Sequence, residues 1–425
     1  MERREICKEV SFCYHNSEKF KRALISFAMF LPLTRESASR FSVIPGILGH
    51  SCKKYPDFLK LNKRLEELYG ASISSDVFKL GDYQTLLLSA TTLDEKFSME
   101  DSPLISNISD LLVEIIFNPD FENGIFKEEA VSREKHQVVE DIKSEFDCKR
   151  KYSLLQCEKL VYAGQPSEIG RLGEIEEVEA LNAKKLTDSY HEVLKTARIE
   201  ITMVSSSPFE KIYKKFKEEI LKLERSEVDE FKNYVKSGSP KELNEQLEVM
   251  ELEQCKLVLG FVTGVAEPSE GTIVLQLVTE IFGGIPQSRL FINVREKMNL
   301  CYYCSAKYDM SKGTIFVESG VENKNVDKAK SEILRQLEFI KAGEVTEDEI
   351  ESAKKFLCQI YRTTDDVLSH IADFSLFYAP FKKFITPWEI IEKIKKINKE
   401  QIVEAASKVC LDSVYMLCGR EQNES

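Results

Sequence analysis

The chain has 425 residues, 43% hydrophobic and 31% charged, which is enough apolar content for two or three packed domains and too much for a disordered tether. Its formal net charge of −12 disfavours a nucleic-acid backbone as partner and favours a cationic peptide or a basic protein face. An odd cysteine count at irregular spacing, with no apolar stretch behind Arg3-Arg4, points to a reducing cytoplasm, and no apolar run reaches the roughly 18 residues of a membrane span. The five histidines stand at 15, 50, 136, 191 and 370, so no two share a helical turn and a local His-x-x-x-His zinc site is excluded.

Residues 23–31 are apolar nearly throughout, as in a strand buried on both faces. Thr34-Arg-Glu-Ser starts a helix that runs on to Pro45-Gly46. Pro56 opens a second helix with Leu59, Leu61, Leu65 and Leu68 on its apolar face, and Gly70 stops it. Strands over 71–79 and 83–91 are joined by a turn at Leu80-Gly81-Asp82. A helix over 105–117 and one long charged helix over 126–162 follow.

The second half repeats this order. A strand over 255–265, helices over 269–282 and from Pro286 to about Asn299, paired strands over 302–310 and 314–319, and helices over 325–342 and 346–378 are predicted. Strand starts, second helices and the turn glycines Gly81 and Gly313 all keep an offset of about 230 residues, the mark of an internal duplication. The expected class is α+β, with two homologous α/β domains, each a mostly antiparallel sheet packed with helices. Their expected bounds are 1–215 and 251–425, with a charged linker over 216–250.

The motifs are few. Cys301-x-x-Cys304 falls in a predicted strand, where residues three apart point to opposite faces, so two core cysteines are expected rather than a redox or zinc pair. His136 and Glu140 lie one helical turn apart, but no third or fourth ligand is close in sequence. Gly283-Gly284 follows a helix rather than a strand and reads as a cap and turn, not a nucleotide cradle. There is no Gly-x-Ser-x-Gly elbow and no phosphate loop.

The segment Phe282-Gly-Gly-Ile-Pro-Gln-Ser-Arg-Leu-Phe-Ile-Asn-Val-Arg-Glu-Lys-Met-Asn-Leu-Cys-Tyr-Tyr303 resembles the C-terminal domain of the insulinase/pitrilysin family of zinc metallopeptidases. The matched words are Gly283-Gly284, Ser288-Arg-Leu-Phe291, Arg295-Glu-Lys297 and Leu300-Cys-Tyr302. Looser matches lie at Glu66-Glu-Leu-Tyr-Gly-Ala-Ser72 and at Thr346-Glu-Asp-Glu349 with Ala353-Lys-Lys355, so the resemblance spans nearly the whole chain. It implies an insulinase-like fold of the LuxS-metallohydrolase type. The wording around Lys53-Lys-Tyr-Pro56 is most similar to a bacterial branch that lacks the zinc motif and is paired with a sister that carries it.

The resemblance fails at the zinc site. The family's His-x-x-Glu-His falls on Ser42-Val-Ile-Pro-Gly46, which puts serine and glycine where the histidines belong and proline where the general base belongs. The distal glutamate falls near Asp141, within Glu134-Lys-His-Gln-Val-Val-Glu-Asp141. No catalytic residue and no metal are therefore expected in this chain alone, and zinc is expected in the partner subunit. What survives is Arg295 and Tyr302, seven apart, which match the family's arginine and tyrosine that steady the scissile carbonyl.

The resemblance implies a non-catalytic subunit of a heterodimeric zinc endopeptidase that encloses peptide substrate with a zinc-bearing sister and supplies Arg295 and Tyr302 in trans. Without that sister the chain could pair with itself. Two alternatives stay open. One is a proteolytically inactive scaffold, with a link to elongation factor P modification implied by resemblance. The other is a lone metallopeptidase using His136 and Glu140.

Overall fold

A computed structural model describes residues 1–99, 102–226, 228 and 230–420. Its contacts divide the chain into two units, and the division is not contiguous in sequence. The first holds Met1–Lys143, Ile169–Phe231 and Thr364–Phe384; the second holds Ser144–Glu168, Lys232–Thr363 and Ile385–Ser425.

The first unit contains β1 (Glu2–Cys7), β2 (Val10–Asn16), β3 (Arg22–Pro32), β4 (Ser72–Leu80), β5 (Tyr83–Leu93), a small ribbon of β6 (Phe121–Glu122) with β7 (Ile125–Phe126), and β8 (Arg198–Ser205). Six of these form a sheet of order β1-β2-β8-β3-β5-β4, antiparallel except for the β2–β8 pair. The apolar run of β3 is explained by its central place. Ile25, Phe27 and Met29 pack into the main core with Phe216 and Ile108, while Ala28 and Phe30 face Leu376 on the other side. The helix Leu368–Tyr378 on that second face is tied in by Arg198, whose guanidinium donates to the Ala379 and Pro380 carbonyls at 3.0 Å each.

The second unit contains β9 (Asn244–Met250), β10 (Cys255–Val262), β11 (Cys301–Asp309), β12 (Thr314–Val321) and β13 (Cys410–Gly419), in the order β11-β12-β10-β13-β9. Only β13–β9 is parallel. Read from the opposite end, β9-β13-β10-β12-β11 repeats the order and senses of β2-β8-β3-β5-β4, so the duplication inferred from offsets is present in the topology. The helix Lys149–Val161 covers one face, packing Cys157 and Val161 on Val258, Val262, Phe316 and Tyr415. Gly260 permits the approach, because a Cβ there would stand 2.4 Å from Val161 Cγ2.

Several expectations need correction. The single helix over 126–162 is two, Glu128–Asp147 and Lys149–Val161, broken at Cys148, and the second belongs to the second unit. The linker expected over 216–250 is shorter. The helix Glu210–Lys222 buries Ile212, Phe216 and Ile220 in the first unit's core, and β9 begins at Asn244. Asp57 rather than Pro56 caps the second helix, its side chain accepting from the Lys60 amide, which turns Leu59 outward to 79% exposure. Strand spacing gave no sign of the Cys255–Cys418 disulfide, which forms because antiparallel register sets residues 163 apart opposite each other on β10 and β13. No helix among the described residues is long and apolar enough to cross a membrane.

Candidate functional site

The segment aligned with the zinc motif follows β3. Thr34 caps the helix Arg35–Ser42 in a reciprocal box with Ser37. A second helix, Ile44–His50, restarts after Val43 with Pro45 in its first turn, where the missing amide proton costs nothing. Ser42 is buried, and its hydroxyl donates to the Ser39 carbonyl at 2.8 Å and to the Leu172 carbonyl at 3.2 Å. Pro45 is buried. Gly46 faces the carboxylate of Glu134, and a Cβ at 46 would stand 2.2 Å from Glu134 Oε2.

Glu134 is 5% exposed on the helix Glu128–Asp147. Its Oε1 accepts from Arg133 Nε at 2.9 Å and lies 3.2 Å from His50 Nδ1, whose ring packs on Phe58. His50 Nδ1 also lies 3.1 Å from the Gly46 carbonyl. The structure places Asp141 two turns further along the helix, where it accepts from Gln137 Nε2 at 2.9 Å. His136 and Glu140 are exposed, and the Lys143 ammonium at 2.9 Å holds the Glu140 carboxyl below its ordinary range. Among the described residues no group of three His, Cys, Asp or Glu is placed to hold a metal. The residues do not fit the zinc of this fold: Glu134 and His50 meet, with no third protein donor beside them.

The second region lies at the edge strand of the second unit. Arg289 is nearly buried, donates Nε and a terminal nitrogen to Glu349 at 2.8 and 2.9 Å, and also bonds the Glu344 carbonyl. Glu349 in turn accepts from the Thr346 amide at 2.8 Å. Two words of the sequence that are 60 residues apart, Ser288-Arg-Leu-Phe and Thr346-Glu-Asp-Glu, are therefore one structural device. Gly283 lets the preceding helical turn approach β11, because a Cβ there would stand 2.8 Å from the Ala306 amide nitrogen. Next to it, burial pushes the Glu280 carboxyl up to about 7, and its Oε2 has no hydrogen-bond partner.

Arg295 lies in the last turn of a π-helical segment, Leu290–Lys297, with its guanidinium 4.6 Å from the Phe291 ring centre and its Nε 3.6 Å from Glu296. Tyr302 is 77% exposed. The β11–β12 register explains this: Cys301 faces Val321 and Tyr303 faces Gly320, so Tyr302 is the extra residue of a β-bulge. The bulge overturns the expectation that Cys301 and Cys304 point to opposite faces, while both are buried as expected. It restores their parity, and the two thiols share a face within hydrogen-bonding reach. That hydrogen bond from Cys304, assisted by Ser319 and the Arg295 charge, holds Cys301 down to about 7 against the opposing effect of burial. The same contact and burial push Cys304 well up.

Sequence reasoning missed Glu134 with His50, Glu280, and the Arg289–Glu349 pair. The one available signal was Glu134 falling in the inner helical stripe of Val131 and Val138.

The Peptidase M16 inactive domain is matched over residues 180–357. The "Probable inactive metalloprotease YmfF" of Bacillus subtilis (strain 168) is 29% identical over 412 residues, covering 95% of each chain. The crystal structure of a conserved protein from Enterococcus faecalis V583 covers 100% of this chain and 99% of its own, with 26% identity and a TM-score of 0.90. An M16 inactive domain from Pseudomonas fluorescens covers 98% of both chains at a TM-score of 0.77 and 14% identity, a likeness of fold. Fold and sequence agree in what they are similar to: this chain resembles M16, insulinase/pitrilysin-type peptidase proteins over its length, among them a relative described as a probable inactive metalloprotease.

Proposed function

We propose that the chain is the non-catalytic subunit of a heterodimeric zinc endopeptidase, enclosing peptide substrate with a zinc-bearing sister. Arg295 and Tyr302 reach that sister's substrate in trans, the guanidinium holding a peptide carbonyl and the phenol donating to the developing oxyanion. The observation that supports this most is Tyr302 itself: a bulge at a sheet edge turns a phenol into solvent, while the positions of the metal ligands are taken up by packing. The net charge of −12 favours basic peptides.

The test is co-expression with the sister chain carrying His-x-x-Glu-His, followed by peptide cleavage with and without chelator. Tyr302→Phe or Arg295→Ala should lower kcat/KM of the pair by roughly 10²-fold, the range for removing one oxyanion donor, without dissociating it. Unchanged turnover in both variants would remove the contribution in trans. Failure of the two chains to co-purify would favour the second reading, a non-proteolytic scaffold, which the closed Glu134–His50 contact supports.

A further inference from the structure

The Cys301-Tyr-Tyr-Cys304 segment has no role in the reading above beyond carrying Tyr302. We propose that Cys301 and Cys304 are a redox-active dithiol that exchanges with low-molecular-weight disulfides and closes to an intramolecular disulfide across the bulge. Three observations carry it. The bulge puts both side chains on one face of β11, opposite Val321 and Ser319 of β12, where a regular strand would separate them. β11 is an edge strand, hydrogen-bonded in its sheet to β12 alone, so its backbone can adjust as a ring closes. The groups around Cys301 favour the thiolate: the Cys304 thiol on its own strand, Ser319 from β12 and the Arg295 guanidinium from the segment before β11.

The other buried thiols contrast with it. Burial pushes Cys13 up to about 11, and it raises Cys52, Cys157 and Cys358 as well. Cys301 is thus the nucleophile, and the more enclosed Cys304 the resolving thiol.

The chemistry balances with the small disulfide as oxidant. The Cys301 thiolate attacks one sulfur of R–S–S–R, forming a mixed disulfide and expelling R–S⁻. Cys304 then loses its proton and attacks the Cys301 sulfur, expelling a second R–S⁻. Two protein thiols lose two electrons and two protons, and one R–S–S–R becomes two R–SH. Closure draws residues 301 and 304 together around Tyr302 and removes the thiolate from beside Arg295, so oxidation re-aims the tyrosine and frees the arginine. The dithiol itself does not depend on a role for either residue in proteolysis.

The experiment uses the full chain without any sister subunit. It is equilibrated in glutathione/glutathione-disulfide buffers, quenched by alkylation and mapped by peptide mass spectrometry. The expected result is a disulfide between Cys301 and Cys304, distinct by peptide from Cys255–Cys418. In Cys304→Ser, a glutathione adduct should accumulate on Cys301. Cys301→Ser should leave Cys304 unmodified. Alkylation of Cys301 should titrate with a midpoint near 7 and move upward in Arg295→Met. Modification of the exposed Cys148 while Cys301 and Cys304 stay reduced would overturn the proposal, as would a Cys301 midpoint no lower than that of Cys148.

Discussion

Glu280 shows what a single buried carboxyl does to this chain. Its folded pKa of about 7 lies above the ordinary 4.5, so between those values the folded state holds a proton that the unfolded state has released. Its contribution is complete below about pH 4.5 and is lost as the pH rises through 7. Glu280→Gln should therefore raise Tm at pH 8 by a few degrees, leave it nearly unchanged at pH 5, and flatten the slope between, as calorimetry at the two pH values would read. Legibility divides sharply at this scale. Ser42, Pro45 and Gly46 could be judged from the sequence because an imidazole that is absent cannot ligate anything. Glu134 could not, because a carboxylate on a charged helix looks solvated until tertiary packing buries it, and Glu280 could not, because a single carboxyl ending an apolar helix reads as its solvated edge.

At the scale of elements, the contact between the helix Lys149–Val161 and β10 turns on one missing methyl. Gly260→Ala would drive a Cβ to 2.4 Å from Val161 Cγ2 and 3.4 Å from Cys157 Sγ, both buried. The expected cost is roughly 1–3 kcal/mol by urea denaturation, and Val161→Ala in the same chain should recover part of it. Strands β3, β4, β5, β10, β11 and β12 were legible from apolar runs and turns, whereas the central strands β8 and β13 were not predicted. The duplication was legible because glycines and prolines mark turns at constant offsets. The outer strands β1, β2 and β9 were missed, since their half-buried mixtures of charge and apolar residues look like surface. The bulge was invisible for a different reason. Parity along a strand is a property of its partner's register, and one extra residue at Tyr302 reverses every inference about which side chains beyond it share a face.

Across the whole molecule, chain order and packing order differ. Residues 144–168 and 364–384 each pack with the unit that the other half of the sequence builds, so no cut of the chain at one point yields two complete units. Within the second unit the Cys255–Cys418 bond closes a loop with a separation of 163 residues. The chain-entropy relation assigns such a loop about 5 kcal/mol. Reductant should lower the urea midpoint of the wild type and leave a Cys255→Ala/Cys418→Ala variant unmoved, with free-thiol counting as the check. A midpoint indifferent to reductant would show that the strand pairing alone holds those ends.

The packing around Gly46 also sets the cost of going backwards. A histidine at 46 must displace Glu134 from its contacts with Arg133 and His50. A histidine at 42 forfeits the hydrogen bonds of Ser42 to the Ser39 and Leu172 carbonyls. A glutamate at 45 brings a carboxylate into a buried position. Each step alone disturbs a settled interior and recovers no metal. Installing His-x-x-Glu-His at these positions therefore runs through three successive losses before any gain, and the interior acts as a ratchet against a metal site.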